Sequence, residues 1–254
     1  MKIRILGSGT SSGVPRIGND WGSCDPTEPR NRRSRASVIV ETATTRILVD
    51  TGPDMREQLL AADVATLDAV IWTHDHADHT HGIDDLRQVY HALGHPVRGI
   101  ARPALLTQLT NRFGYVFSGL NGYPKVASIE PLMDTMLIGD IAVRVADQPH
   151  GGTQSAGLRF EAEGSTIGYA TDLSDMTDAM IDLYTGLDVW VVDALRRRPH
   201  PSHLDLPTVL GWVERLQPRR VALTHMDQSM DYATLARELP DGVEPGFDGL
   251  ELAG

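Results

Sequence analysis

THDHADHTHG (73–82) packs four histidines and two aspartates into ten positions. Directly before it stands AVIW (69–72), a short apolar run that reads as a buried strand. Directly after it, IDDLRQVYHALG (83–94) has helical spacing and a glycine stop. The cluster therefore occupies a strand-to-helix turn. Alternate residues of an extended backbone project the same way, so His74 and His76 can grip one ion together. Once the chain turns, Asp78 and His79 are redirected and can reach a second ion. Neutral imidazole and carboxylate are ligands for zinc and other first-row divalent metals. A lone histidine would be read as solvated loop; this density reads as a metal site.

Outward from this turn, the chain alternates strand and helix signals. KIRILG, SVIVE, RILVD, AVIWTH, AVRVA, GLRFEA, TIGYAT, VWVVDA and RVALTH are short, apolar and often β-branched. Several end at a side chain that can ligate or orient a metal: Asp50 closes RILVD, His74 closes AVIWTH, Asp172 follows TIGYAT and His225 closes RVALTH. Helical patterns cover 54–63, 83–94, 102–114, 176–186 and 204–218. The interleaving predicts a mixed α/β fold with helices packed outside sheets, organised as one domain over 1–254.

Composition narrows the partners. A formal charge of −11 disfavours nucleic acid, whose phosphates need a basic surface. Two local exceptions, Arg30/Arg32/Arg33/Arg35 and Arg196/Arg197/Arg198, suggest an anion pocket on an acidic body and hence a small anionic substrate. No run approaches the 18 apolar residues of a membrane span, and MKIRILGSGTSSG turns polar too early for a secretory signal. The single cysteine, Cys24, excludes an internal disulfide framework, and a cytoplasmic location is expected.

HDHADH (74–79) is similar to the HxHxDH signature of the metallo-β-lactamase superfamily. ILGSGTSSGVP, NRRSRAS (31–37), ILVDTGPD (47–54) and GIDDLR (82–87) further resemble its PhnP-type phosphodiesterase branch, which is close to ribonuclease Z. The resemblance implies an αβ/βα four-layer sandwich, two facing mixed β-sheets flanked by helices, with metals at the sheet edge. It also implies the remaining ligands: His150 in DQPHGG, a bridging Asp172 in IGYATD, and His225 in VALTH. One ion would then have His74, His76, His150 and Asp172; the other would have Asp78, His79, Asp172 and His225. PhnP-type relatives often carry further cysteines near WGSCDPTEP that hold a structural zinc. Here Cys24 stands alone, so no third metal is expected. The branch often forms homodimers, which makes a homodimer an expectation here too.

Two adjacent divalent ions, Zn²⁺ or Mn²⁺, would turn a bridging hydroxide into the nucleophile and clamp the attacking and leaving oxygens. Ser8, Ser11 and Ser12 then need not be nucleophiles, and GSGTSSG lacks the GK[ST] ending of a P-loop. In the related branch, a histidine just before a Leu-led helix contributes to catalysis. His203 in SHLDLP matches it as general acid, with His200 in reserve. Asp78 and Asp172 join His203 as the expected catalytic residues. Asp50, and with less support Asp75, are candidates to orient ligating histidines. The leading reading is a phosphodiesterase on a small or cyclic phosphate ester. The alternatives are a ribonuclease Z-like nuclease and a thioester or lactam hydrolase with an acyl pocket near Phe113, Tyr115 and Phe117. A binding module with purely structural metal is disfavoured, because structural zinc sites are closed and mononuclear.

Overall fold

Strands that are apolar on both faces need a covering layer on each side. In the computed structural model, which describes residues 1–120 and 122–254, the chain meets that need with two seven-stranded sheets. The first half builds β1 (Lys2–Gly7), β2 (Ser37–Glu41), β3 (Arg46–Val49), α1 (Met55–Ala61), β4 (Ala69–Trp72) and the one-turn α2 (Ala77–Thr80). It continues through α3 (Leu86–Leu93), β5 (Val97–Ala101), α4 (Pro103–Arg112), α5 (Gly114–Ser118) and β6 (Ala127–Pro131). The second half supplies β7 (Thr135–Ile138), β8 (Ile141–His150), β9 (Thr153–Ala162), β10 (Ser165–Ala170), α6 (Asp178–Tyr184) and β11 (Val189–Asp193). It ends with α7 (Leu206–Leu216), β12 (Arg220–Thr224), α8 (Tyr232–Glu238), β13 (Val243–Pro245) and β14 (Glu251–Ala253).

One sheet runs β14-β1-β2-β3-β4-β5-β6 and the other β13-β12-β11-β10-β9-β8-β7. Alternation along each strand sorts the side chains. Ile47 and Val49 of β3 face Val143, Leu158 and Phe160 of the opposite sheet, whereas Leu48 joins Met55, Leu59, Trp72 and Leu105 beneath the helices. On β11, Val189 and Val191 face inward, while Trp190 and Val192 meet Met180, Leu183 and Val209 of α6 and α7. The layers are helix, sheet, sheet, helix. Each fully buried aliphatic or aromatic side chain contributes about 1.5–3 kcal/mol, against about 0–1 kcal/mol for an exposed ion pair, so these three clusters dominate the fold's stability.

Both sheets are mixed, and their parallel halves position the site. β3 and β4 run parallel in one sheet, and β10, β11 and β12 in the other. Just beyond the C-terminal end of β4, Thr73 O accepts from Ala156 N of β9 at 3.0 Å, which ties the two sheets together. The glycine-rich 7–13 loop is sewn to the same edge: Met226 N donates to Ser8 O at 2.9 Å, and Thr10 N to Met226 O at 3.2 Å.

Several sequence expectations shift. The helix expected over 83–94 begins as a 3-10 turn at Ile83–Asp85 and then runs Leu86–Leu93, ending on Gly94 in the left-handed region. Five strands gave no clear signal. β5 is broken by Gly99, where a Cβ would sit 2.6 Å from both Ser128 O and the Trp72 ring. β6, β7, β13 and β14 are edge strands of three to five residues, too short to register an alternating pattern. Of Phe113, Tyr115 and Phe117 only Phe113 borders the metal residues, lining a cavity of about 520 Å³ with His76, His81 and Arg112; Phe117 is buried under β4, edge-on to Trp72. Among the described residues, no helix is long and apolar enough to cross a membrane.

Candidate metal centre

Four of the expected ligands sit at or just past a strand end. His74 follows β4, His150 is the last residue of β8, Asp172 lies two residues beyond β10, and His225 follows β12. The one-turn α2 swings Asp78 and His79 inward while leaving His76 at the surface. Three of the key positions adopt left-handed backbone: Asp50 (φ 67°), Asp172 (φ 55°) and His225 (φ 56°). For a non-glycine residue this conformation is strained, and such strain concentrates where a side chain must be re-aimed.

The side chains converge on Asp172. Its Oδ1 lies 3.8 Å from His74 Nε2, 3.4 Å from His150 Nε2 and 3.5 Å from His225 Nε2; its Oδ2 lies 3.2 Å from His79 Nε2. Asp78 Oδ2 stands 3.3 Å from His79 Nε2 and 3.7 Å from His225 Nε2. Two donor sets result, each with its ligand atoms within 4.8 Å of one another: His74, His76, His150 and Asp172, and Asp78, His79 and His225. The sequence-derived candidates are thus brought together as two adjoining groups.

The donor chemistry fits divalent cations. The Nε2 atoms of His74, His79 and His225 are buried without a hydrogen-bond partner. Leaving buried polar atoms unpaired costs about 1–3 kcal/mol each, which an ion at their focus would offset. Burial holds the His74 pKa well below that of free imidazole, so its ring stays neutral with a lone pair to offer. For His79 and His225 burial acts in the same direction, yet Asp172 and its neighbouring carboxylates prevail. They hold His79 well above the ordinary value and push His225 up to about 9. Burial would raise Asp78, but His79 and His225 keep it well below the usual carboxylate range. A cation entering here replaces protons as the carboxylates' counter-charge.

Around these groups stands an orienting layer. Asp50, fully buried, accepts from His79 Nδ1 at 2.7 Å and from Thr73 N and Oγ1 at 2.8 Å. This is the geometry that fixes a ligating imidazole's tautomer. His150 Nδ1 lies 2.8 Å from Ser202 O, and Thr171 Oγ1 donates to Asp172 Oδ2 at 2.6 Å. Asp75 does not share this work. It points outward and pairs with Arg112, whose Nη2 lies 3.1 Å from its carboxylate.

His203 holds a different position. Its Nδ1 is 2.7 Å from Asp193 Oδ2, which leaves Nε2 facing the site, 3.9 Å from Asp172 Oδ1. His200 packs beside His203 and takes Ser202 N on its Nδ1 at 3.3 Å, and it does not line the cavity. Asp193 escaped the sequence reading although it closes VWVVD (189–193) as Asp50 closes RILVD; the strand-end pattern was the available signal.

A cavity of about 470 Å³ opens over these residues, lined by Ser11, His76, Asp78, His150, Gly151–Thr153, Asp172, Ser202, His203 and His225. No arginine lines it among the described residues; Arg32, Arg33 and Arg35 line a separate cavity of about 860 Å³ together with Arg4, Asp54 and Glu57, and Arg197 and Arg198 line another, so the arginine clusters stand apart from the metal centre. Arg30 pairs with Glu28, Arg35 with Asp54 and Arg197 with Glu238. Arg33 is buried with Nη2 on Met230 O, and Arg196 spends its donors on Arg198 O and Pro199 O. Arg35 Nε lies 3.3 Å from the carbonyl oxygen of cavity-lining Ser11.

Comparison with known proteins gives a consistent picture. The family described as a beta-lactamase superfamily domain matches residues 45–226. The crystal structure of a diphosphatase from the PhnP family superposes with a TM-score of 0.89 at 33% identity, covering 99% of this chain and 97% of that one. Zn²⁺-bound PqqB from Methylobacterium extorquens has a TM-score of 0.81 at 19% identity with full coverage of both chains, and human tRNase Z, short form, 0.72 at 16%, covering 100% and 99%. At those identities they share the fold. An octanoyltransferase of Porphyromonas gingivalis (strain ATCC BAA-308 / W83) is 31% identical over 99% of this chain. This chain spans only 51% of that relative's length.

Proposed function

The chain belongs to the β-lactamase superfamily, as a hydrolase with a His/Asp metal-binding site; from that premise we propose a dinuclear phosphodiesterase acting on a small or cyclic phosphate ester. In this reading residues 1–254 act as one unit in the cytoplasm. His74, His76, His150 and Asp172 hold one ion, and Asp78, His79, His225 and the shared Asp172 hold the other. Zn²⁺ and Mn²⁺ both suit this donor set. Bound together, two such ions supply an activated water and Lewis-acid polarisation of a phosphoryl oxygen.

The chain's own residues do the rest. Asp193 accepts a hydrogen bond from His203 Nδ1–H, so that in the doubly protonated ring the Nε2–H faces the cavity and can hand its proton to the leaving oxygen, leaving a neutral imidazole. The observation that carries the proposal is this histidine, held by its own carboxylate at the edge of the ligand sets. Geometry also groups His203 with Asp172 and His225 as a third set of donors. Its bond to Asp193 favours proton transfer over ligation, and an unchanged metal content in His203→Ala is the expected mark of that role.

Charge favours a diester. Among the described residues no arginine lines the cavity to neutralise a second negative charge, so a singly charged ester suits it better than a doubly charged monoester. The acyl reading suggested by the octanoyltransferase relative finds less support, because among the described residues those lining the cavity are polar, histidine or glycine. The half of that relative lying outside the match leaves room for its named activity to reside there.

The test is a substrate panel with metal-loaded and chelated protein: bis(p-nitrophenyl) phosphate, cyclic and linear diesters, an octanoyl thioester and a precursor tRNA. Diester turnover that chelator abolishes and Zn²⁺ or Mn²⁺ restores supports the proposal. Turnover confined to the thioester or to the tRNA overturns it.

A further inference from the structure

We infer that Tyr184, Gln148 and Ser155 are positioning residues: a buried hydrogen-bond relay that sets where Asp172 points and so how tightly its ion is held. The inference rests on the reading of Asp172 as a shared ligand.

Asp172 is aimed from a left-handed backbone position at the end of a two-residue extension beyond β10. The carbonyls of Thr171 and Asp172 lie past the strand's ladder, where they take side-chain donors instead. Gln148 Nε2 donates to Thr171 O at 2.8 Å and to Ser155 Oγ at 2.9 Å. Ser155 Oγ donates in turn to Asp172 O at 2.8 Å. A carbonyl accepts only from N–H or O–H, so the bond to Thr171 O fixes the Gln148 amide with Oε1 on the far side. There it accepts from Tyr184 O–H at 2.8 Å. Ser155 Oγ also lies 3.2 Å from Thr171 O and Tyr184 Oη 3.2 Å from Tyr169 O; along the shorter contacts the chain runs Tyr184 to Gln148, Gln148 to Ser155, Ser155 to Asp172.

Tyr184 and Gln148 are fully buried and Ser155 is 2% exposed, and none of the three lines the metal cavity. They cannot touch a substrate held there. Their effect passes through the 171–172 backbone, and Thr171 Oγ1 adds a direct bond to Asp172 Oδ2. Such networks rigidify what they hold only when every member is satisfied; here each one is.

An independent feature points the same way. Gly157 lies on β9, and a Cβ there would stand 2.2 Å from Tyr184 Oη and 2.6 Å from Gln148 Oε1. A strand interior normally gains from a side chain, so glycine at 157 keeps open the space in which the Tyr184–Gln148 bond forms. β8, β9 and α6 each contribute one side chain to the relay, so the shared carboxylate is braced from three elements.

Ser155→Ala, Gln148→Glu and Tyr184→Phe are each compared with the unmodified chain in two measurements. Metal-free protein is titrated with Zn²⁺ against a chelating dye, and thermal melts are recorded with and without the metal. Ser155→Ala removes the bond to Asp172 O, and Gln148→Glu removes both amide donors while keeping the acceptor for Tyr184. Both should weaken Zn²⁺ binding by about 10–100-fold, the usual loss when a ligand's orienting partner is removed. Tyr184→Phe, which releases only the far anchor, should lose less than either. A merely structural role would lower loaded and metal-free melting temperatures together; positioning narrows the gap between them. Native Zn²⁺ affinity and an unchanged gap in folded Ser155→Ala overturn the relay, and this variant decides alone if Gln148→Glu does not fold. The stoichiometry of the unmodified chain reports separately on the two-ion reading: one ion sinks that reading while the affinity ratios still judge the relay, and no zinc uptake overturns both.

Discussion

Asp193→Asn isolates the proposed acid from the metals. The substitution keeps the size of a fully buried residue but removes the charge that faces His203 Nδ1 at 2.7 Å. An asparagine can offer that nitrogen an N–H, which reverses the tautomer and leaves the protonated ring without its counter-charge. A hydrogen bond to a charged group contributes about 1.5–3 kcal/mol, which corresponds to about 10–100-fold in rate where His203 must deliver a proton. The loss should depend on the leaving group. A p-nitrophenolate departs with little help, so bis(p-nitrophenyl) phosphate turnover should fall only a few-fold. An alkyl leaving group needs the proton and should show the full loss. His203→Ala should display the same selectivity more strongly, since general acids contribute about 10²–10⁴-fold. Steady-state rates on a graded series of aryl and alkyl diesters, with metal content measured on each sample, make the comparison. Equal losses across the series, at full metal content, would refute the acid role.

Other consequences are open to direct measurement. Asp50→Ala strips the partner from His79 Nδ1 and should weaken metal binding by about 10–100-fold, read by competition with a chelating dye. Gly52→Ala would put a Cβ 2.3 Å from the Asp78 carbonyl oxygen, so urea unfolding should show a loss of about 1–3 kcal/mol from overpacking, with weaker metal retention as α2 is pushed aside. In the metal-free chain His225 is pushed up to about 9 by Asp172, Asp78 and Asp193 against the opposing effect of burial. A folded pKa above the unfolded value of about 6.5 gives stability that is complete below that pH and is lost as pH rises through about 9. Melts of chelated protein should therefore decline between pH 6.5 and 9.5, and Zn²⁺ should abolish the decline.

The sequence carried the frame of this molecule because the frame rests on local patterns. Apolar β-branched runs such as SVIVE and VWVVD are buried on both faces, and they appear as strands β2 and β11. The turn at 73–82 was legible because an extended stretch followed by a helical turn separates His74 from Asp78 and His79 by simple geometry. Edge strands such as β14 and the glycine-broken β5 were not legible, since pairing with distant strands rather than composition makes them strands. That the arginine clusters stand apart from the metal centre was not legible for a related reason. A guanidinium's partner is fixed by tertiary contact, and Glu28, Asp54 and Glu238 claim Arg30, Arg35 and Arg197. The relay onto Asp172 joins residues 148, 155, 171 and 184 through single hydrogen bonds, and no spacing in the chain announces it.

X-ray absorption at the zinc edge, together with metal analysis of the loaded protein, bears most directly on the central claim. Two ions per chain with a metal–metal distance of about 3.5–4 Å, reduced to one or none in Asp172→Ala, is the predicted result. A single ion in the unmodified chain, or two ions that persist unchanged without the Asp172 carboxylate, would contradict it.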